Sequence, residues 1–99
     1  MAKKYKINIS FNAQKDLEYV FFYIAEDSIN NAKKFILDLE EKIYSLETMP
    51  ERFALLPENI FFGSNYRQII HKKYRVIYKI SNNSVCIMRV VHGAQLLDL

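Results

Sequence analysis

The chain of 99 residues has few of the residues that interrupt or cross-link a fold: two glycines, two prolines, one cysteine and no tryptophan. A single cysteine, Cys86, excludes an internal disulfide and is typical of a reducing compartment. Two isolated glycines exclude a glycine-rich phosphate loop. The histidines and Cys86 lack the paired spacing of metal ligands, so we expect neither a metal nor a cofactor.

Long apolar runs are also missing, so no segment is expected to span a membrane. Lys3 and Lys4 are followed by only a short apolar stretch, which does not resemble a signal peptide. About half of the residues (51%) are hydrophobic, enough to bury a core without disulfides or metal. We therefore predict one domain over residues 1–99, located in the cytoplasm and making no contact with a membrane.

Acidic residues are absent from Asn59 to Leu97, whereas residues 1–50 balance seven Lys/Arg against eight Asp/Glu. A segment with charge of one sign attracts phosphates or an acidic partner. A solvated basic surface without a partner is the alternative. We favour binding, because the absence of counter-charge continues through three predicted strands. The cations and histidines of this acid-free segment are Arg67, His71, Lys72, Lys73, Arg75, Lys79, Arg89 and His92.

Apolar residues recur at helical spacing in two consecutive segments that follow a β-prone run, Lys6–Ser10. The first helix is predicted from the candidate cap Ser10 to about Glu26. The second is predicted from the candidate cap Ser28 to just before Pro50, because proline cannot continue the hydrogen-bond ladder. The short link between them predicts an antiparallel helical hairpin.

Three aromatic residues, Tyr19, Phe22 and Tyr23, stand beside the apolar stripe of the first helix. We expect them to widen the core stripe beneath the long loop described next. The alternative is an exposed hydrophobic patch for a partner.

The segment Met49–Asn65 contains both prolines and Gly63, and a loop of this length is uncommon in a compact domain unless it is functional. Its apolar residues suggest that it is pinned to the body of the domain. Three strands are predicted after it, over Tyr66–His71, Tyr74–Ile80 and Ser84–His92. The order βααβββ predicts an α+β domain with the helical hairpin on one face of a small antiparallel sheet.

The last hairpin predicts which residues share a face of the sheet. If Asn82–Asn83 form its loop, Arg75 pairs with Val90 and Lys73 with His92. The opposite face then mixes cations with apolar side chains, which is typical of an interface. The face toward the helices is predicted to contain Tyr74, Val76, Tyr78, Ile80, Val85, Ile87 and Val91, and the opposite face Lys73, Arg75, Ile77, Lys79, Cys86, Met88, Val90 and His92. Arg89 falls on the helix side, unless it lies at a sheet edge or the register is off by one residue.

This register brings Arg75 and His92 together on one face, with Arg67 of the preceding strand on the same side. A guanidinium can hold a phosphate through two parallel hydrogen bonds, and a histidine can transfer a proton. These groups are the minimum for cleaving a phosphodiester with a ribose 2′-hydroxyl, although a polar strand end explains His92 equally well. Glu58, the last carboxylate before the acid-free segment, is a candidate base or a salt-bridge partner, and a loop residue without a role is the more frequent case.

The run Tyr74–Ile80, a short hairpin and the run Val85–Gly93 together resemble the C-terminal signature of the RelE/ParE superfamily of bacterial toxins. The first half is similar to the ParE-like pattern, so the resemblance extends over nearly the whole chain. The residues that agree there are Ile9-Ser10, Ala13, Asp16-Leu17, Tyr23–Ser28, Ala32, Phe35 and Met49–Arg52.

The resemblance implies the toxin of a type II toxin–antitoxin pair, with the same βααβββ fold and neutralised by direct binding of an antitoxin protein. Antitoxins of this kind lay an extended or helical acidic segment over the toxin, which suits the acid-free segment. The residues expected to contact the antitoxin or the target are Lys72, Lys73, Arg75, Lys79, Arg89 and His92.

The superfamily divides by target: RelE-like members cleave messenger RNA on the ribosome, and ParE-like members inhibit DNA gyrase. Arg75 and His92 match residues that the cleaving members use, with Arg67 and Glu58 as possible helpers and no metal needed. Those members commonly place a tyrosine after the last strand, whereas no aromatic residue follows Tyr78 here. We favour a ParE-like inhibitor of DNA gyrase. The alternatives are a ribosome-dependent mRNA endoribonuclease and a degenerate, non-toxic binding member.

Overall fold

A computed structural model gives the fold and describes residues 3–93, so that residues 94–97 of the acid-free segment lie outside the described part. The elements are β1 (Lys6–Ile9), α1 (Phe11–Ala25), α2 (Ile29–Tyr44), α3 (Asn59–Phe62), β2 (Arg67–His71), β3 (Tyr74–Ser81) and β4 (Ser84–His92). Two single 3₁₀ turns, Ser45–Glu47 and Pro50–Arg52, follow α2. This order confirms the predicted α+β fold and adds the short helix α3 within the long loop.

Both long helices begin at the serines that the sequence predicts. The Ser10 hydroxyl oxygen accepts a hydrogen bond of 3.1 Å from the Ala13 amide, and the Ser28 oxygen accepts one of 3.2 Å from the Asn31 amide. Each cap satisfies one of the amides that the first helical turn leaves without a partner. These local signals explain why the helix starts could be predicted accurately.

The sheet has the strand order β1-β4-β3-β2. β2, β3 and β4 form an antiparallel meander, while β1 pairs parallel to β4, with Ile9 opposite Ile87. The sheet is therefore mixed and not wholly antiparallel. Periodicity identifies β1 as a strand, but it carries no information on which edge of the meander this distant strand joins.

The two faces of the sheet are covered differently, and we call them the helix face and the loop face. On the helix face, α1 and α2 enclose the main core. Its buried members include Ala13, Val20, Phe35, Leu39, Ile43, Leu46, Ile69, Val76, Tyr78, Val85, Ile87 and Val90. On the loop face a smaller cluster joins Leu56 to Ile77 and Val91, with Tyr66 and Met88 packed against it. Leu56 belongs to the long loop, which is thus pinned to the sheet as predicted.

A β-bulge changes the predicted register of the last hairpin. Pairing follows the prediction from Ser81 opposite Ser84 to Lys79 opposite Cys86, and then shifts by one residue between Ile77 and Tyr78. Such a bulge inserts one extra residue into one strand and reverses the facing of the residues beyond it. The side chains of β4 from Val90 onward therefore point to the opposite face of the sheet from the one predicted.

The shift corrects several predicted pairs. Arg75 lies opposite Val91 and not Val90, and His92 lies opposite Tyr74 and not Lys73. Val90 consequently belongs to the helix-face core and Val91 to the loop-face cluster, the reverse of the predicted assignment.

The aromatic residues beside the α1 stripe are exposed, so the prediction that they widen the core is wrong. Tyr19, Phe22 and Tyr23 each have more than half of their surface accessible. The long loop packs through Leu56 on the loop face and through Phe53 against the main core, and it leaves these three residues exposed.

Candidate functional site

Arg75 is the most enclosed cation of the acid-free segment within residues 59–93. Its Nη1 lies 2.9 Å from Oε2 of Glu58 and donates a 3.2 Å hydrogen bond to Oε1 of Gln68. Only 11% of the Arg75 side chain and 30% of the Glu58 side chain are exposed. The Arg75 Nε is buried without a hydrogen-bond partner among the described residues. Glu58 thus forms a salt bridge with Arg75 on the loop face, which was an alternative, whereas a loop residue without a role was the favoured expectation.

Arg67 binds the backbone of the long loop, and its side chain forms no hydrogen bond with Arg75, Glu58 or Gln68. Its Nη1 donates to the backbone oxygens of Glu51 at 3.0 Å and Phe53 at 2.6 Å. Arg67 is opposite Tyr78, a helix-face residue, so strand alternation directs it to the other side of the sheet from Arg75. The expectation that Arg67 and Arg75 share a face is wrong.

The rest of the loop is closed by reciprocal polar contacts around α3. The Asn59 side chain donates to the Tyr66 oxygen at 2.9 Å and accepts from the Tyr66 amide at 3.1 Å. Gly63 ends α3 with a φ of 62°, a conformation that glycine adopts without strain. The loop therefore presents a fixed surface in which Ile60 and Phe61 point to solvent.

His92 lies on the helix face, so the predicted pairing of Arg75 with His92 on one face is wrong. The His92 ring lies 5.7 Å from the Tyr74 ring, centroid to centroid. It lines a groove of about 720 Å³ whose walls include Tyr19, Tyr23 and Lys73. The bulge in β4 is the physical reason, because without it His92 would follow the alternation of Arg75.

Arg89 joins the sheet to α1 through Asp16. The carboxylate of Asp16 accepts hydrogen bonds from Arg89 Nε at 2.7 Å, from Arg89 Nη2 at 3.0 Å and from the Val90 amide at 2.9 Å. Three donors on one carboxylate anchor the helix at the bulge. Arg89 was predicted on the helix side unless the register was off by one residue. The register is shifted, and Arg89 pairs with the loop-face residue Ile77, yet its side chain reaches Asp16 of α1. Spacing alone gives no signal that Asp16 is its partner.

The remaining predicted contact cations do not form one surface. Lys72 occupies a positive φ of 54° in the β2–β3 turn, with its Nζ 5.9 Å from the Phe35 ring centroid on the helix face. The Lys79 Nζ lies 5.9 Å from the Tyr66 ring centroid on the loop face. Lys73 lines the groove beside His92. These three lysines therefore lie in different places: Lys72 at the tip of the β2–β3 hairpin, Lys73 on the helix face and Lys79 on the loop face.

Two buried titratable groups lie outside these contacts. Burial lowers the pKa of His71, and the nearby Lys42 and Lys72 lower it further, while Asp38 acts in the opposite direction. Burial raises the pKa of the Tyr78 phenol to about 12, and its hydroxyl donates to the Pro50 oxygen. Both groups are thus held neutral near pH 7 as parts of the core.

Neither metal-binding clusters nor membrane-spanning helices occur in the part of the chain that the structure describes. Across residues 3–93, the potential ligand side chains never gather in threes with metal-binding geometry. Over the same residues no helix has the length and apolar character needed to cross a bilayer.

Comparisons with known proteins agree with this architecture. No curated protein matches the chain. A solved structure described as "Chromosomal ParDE TA system from P. aeruginosa" contains a chain with a TM-score of 0.71 and 14% sequence identity, matched over 90% of this chain and 96% of that one. At this identity the likeness supports the fold alone. The family described as "ParE toxin of type II toxin-antitoxin system, parDE" matches residues 7–97, nearly the whole sequence. The chain therefore belongs to the ParE toxin family of type II toxin–antitoxin systems.

Proposed function

We propose that this chain is a cytoplasmic toxin that stops bacterial growth by inhibiting DNA gyrase, and that direct binding of a cognate antitoxin neutralises it. The family match over residues 7–97 supports the toxin role. A role in stabilising the replicon that carries the pair belongs to the same proposal.

The separation of Arg75 from His92 is the observation that carries the choice of gyrase over messenger RNA. A cleavage site needs a phosphate-holding cation and a proton-transfer group within reach of one scissile bond. Here these two residues lie on opposite faces of the sheet, and Glu58 already occupies Nη1 of Arg75. A phosphate at Arg75 would have to displace a carboxylate at 2.9 Å and would still lack His92.

Charge supports a protein antitoxin. Within residues 59–93 the chain offers cations on both faces and not one carboxylate, and its last preceding carboxylate, Glu58, is paired with Arg75. An acidic segment laid across this region would gain attraction without meeting like charge. Such complementarity raises the rate of association and favours the correct partner.

The test is inducible expression of the full chain without an antitoxin, with pulse labelling of DNA and protein synthesis. We expect DNA synthesis to stop first and cells to filament. In vitro, the purified chain should block supercoiling by gyrase, and a core-disrupted Val85→Asp variant is the negative control, because Val85 is fully buried.

Two results would contradict the proposal. An early stop in protein synthesis with cleaved messages would favour the mRNA endoribonuclease. Unchanged growth with a folded, expressed chain would favour the degenerate binding member.

A further inference from the structure

Besides its buried stripe, α1 and its cap carry a second row of residues that faces solvent. The row consists of Lys15, Tyr19, Phe22 and Glu26, all exposed. Spacings of four, three and four residues place them along one face over roughly 16 Å of helix. Tyr19 is 73% exposed and Phe22 66%, so the middle of the row is aromatic and its two ends are charged.

Flanking residues extend this apolar surface. Tyr23, 61% exposed, borders Phe22, and Phe11, 70% exposed, continues the surface toward the start of α1. The Lys15 Nζ lies 5.1 Å from the Phe11 ring centroid, so its cation rests on the aromatic surface. A contiguous exposed apolar surface of this kind is more often an interaction site than a surface that only contacts water.

The order of the row makes it complementary to itself. A two-fold axis crossing α1 between residues 20 and 21 would set Lys15 opposite Glu26 of the partner subunit. The same axis would set Tyr19 opposite Phe22 of the partner subunit, and Glu18 opposite the partner's Tyr23. Lys15 then pairs with a carboxylate, and the two aromatic rings pair with each other. The two-fold axis repeats each pair once, as an isologous interface requires. A parallel arrangement would instead oppose like charges.

We propose that the chain forms a two-fold symmetric homodimer in which α1 packs antiparallel against α1 of a second copy. The aromatic pairs form the centre of the interface and the Lys15–Glu26 pairs its ends, the usual arrangement of an apolar core with a charged rim. One helix face per subunit is a small interface, so we expect a weak dimer whose population depends on concentration. This inference concerns self-association and does not depend on the proposed target.

The experiment is sedimentation velocity of the full chain, made by cell-free synthesis, over about 1 to 200 µM, because mass action makes a weak dimer concentration-dependent. We expect the wild type to change from monomer to dimer across this range. Phe22→Glu should weaken dimerisation at least about tenfold. The matched control is Phe61→Glu on α3, an equally drastic change at a residue 84% exposed on the opposite side of the sheet, which should leave dimerisation unchanged.

A charge exchange tests the antiparallel register. Lys15→Glu and Glu26→Lys should each weaken the dimer, since each sets like charges against each other at both ends. The double variant Lys15→Glu/Glu26→Lys restores opposite charges and should regain most of the wild-type affinity. Circular dichroism of each variant confirms that these exposed substitutions leave the fold intact.

Four results would overturn the proposal: a wild type that stays monomeric at 200 µM, a dimer that tolerates Phe22→Glu, loss of the dimer in Phe61→Glu, or a double charge variant no better than the worse single one. None of these measurements uses the antitoxin or gyrase. A failure here is therefore distinguishable from a failure of the proposed function.

Discussion

Single residues of the acid-free segment take their roles from partners that are distant in sequence. The sequence offered two candidate roles for Glu58, a base or a salt-bridge partner, because it is the last carboxylate before a long cationic region, but it favoured neither over a loop residue without a role. That its partner is Arg75, 17 residues away, depends on how the long loop crosses the sheet. The side assigned to His92 was not predictable, because one inserted residue in β4 reverses it.

His71 is a residue whose position makes stability depend on pH. Its Nε2 is buried without a hydrogen-bond partner among the described residues, and its ring lies 5.0 Å from that of Phe35, centroid to centroid. Lys42, Lys72 and Asp38 are the charged groups that influence it. A histidine in such surroundings is more stable neutral than protonated.

We expect the free energy of unfolding to decrease as the pH falls below 6.5, the ordinary pKa of histidine. Because the pKa of His71 is lowered in the folded state, the unfolded chain binds a proton that the folded chain does not bind between the two values. Urea unfolding at a series of pH values from about 5 to 7.5 measures the slope. His71→Leu should flatten it, and the control His92→Gln, which keeps His71, should not. An unchanged slope in His71→Leu would contradict this account.

At the scale of elements, local signals predicted the helices well and the sheet less well. Serine caps and helical periodicity act within a few residues, so the starts of α1 and α2 were confirmed. The parallel β1–β4 pair joins segments more than 70 residues apart in sequence, and so does the contact of Asp16 with Arg89 beside the bulge. Periodicity within one strand contains no trace of such contacts.

The junction of α1 and β4 yields a stability prediction. Asp16→Ala removes three hydrogen-bond acceptor contacts and leaves Arg89 without this carboxylate. Since hydrogen bonds to charged groups contribute about 1.5–3 kcal/mol each, we expect the free energy of unfolding to fall by at least about 2 kcal/mol. The control is Glu41→Ala, an exposed carboxylate on α2 outside the proposed dimer surface, which should change it by less than about 0.5 kcal/mol. Equal losses in the two variants, measured by urea unfolding, would show that Asp16 does not anchor the helix.

For the whole molecule, the two faces of the sheet divide the candidate residues between them. The loop face holds Arg75, Glu58 and Gln68, and the helix-face groove holds His92. The resemblance in sequence identified the family correctly, because its motifs extend along nearly the whole chain. It could not reveal this division, because the motifs fix which residues are present and not which face they occupy.

From this division we expect His92→Ala to retain growth inhibition. If no reaction requires Arg75 and His92 together, losing the imidazole leaves the loop face and its ion pair unchanged. The measurement is colony formation after induction, with Val85→Asp as the inactive control. Loss of toxicity in a His92→Ala variant that keeps the wild-type circular dichroism spectrum would instead favour the mRNA endoribonuclease.

The parallel pairing of β1 with β4 has a consequence for synthesis of the chain on the ribosome. Ile7 lies opposite Val85, so the first strand has no neighbour in the sheet until the last strand has been made. Contacts between segments far apart in a chain form late in folding, because the intervening segment must be closed first. A nascent chain of this kind therefore keeps β1 unpaired until β4 has left the ribosome. A partner that is already present in the cell can meet the incomplete chain during the time in which the residues between β1 and β4 are translated.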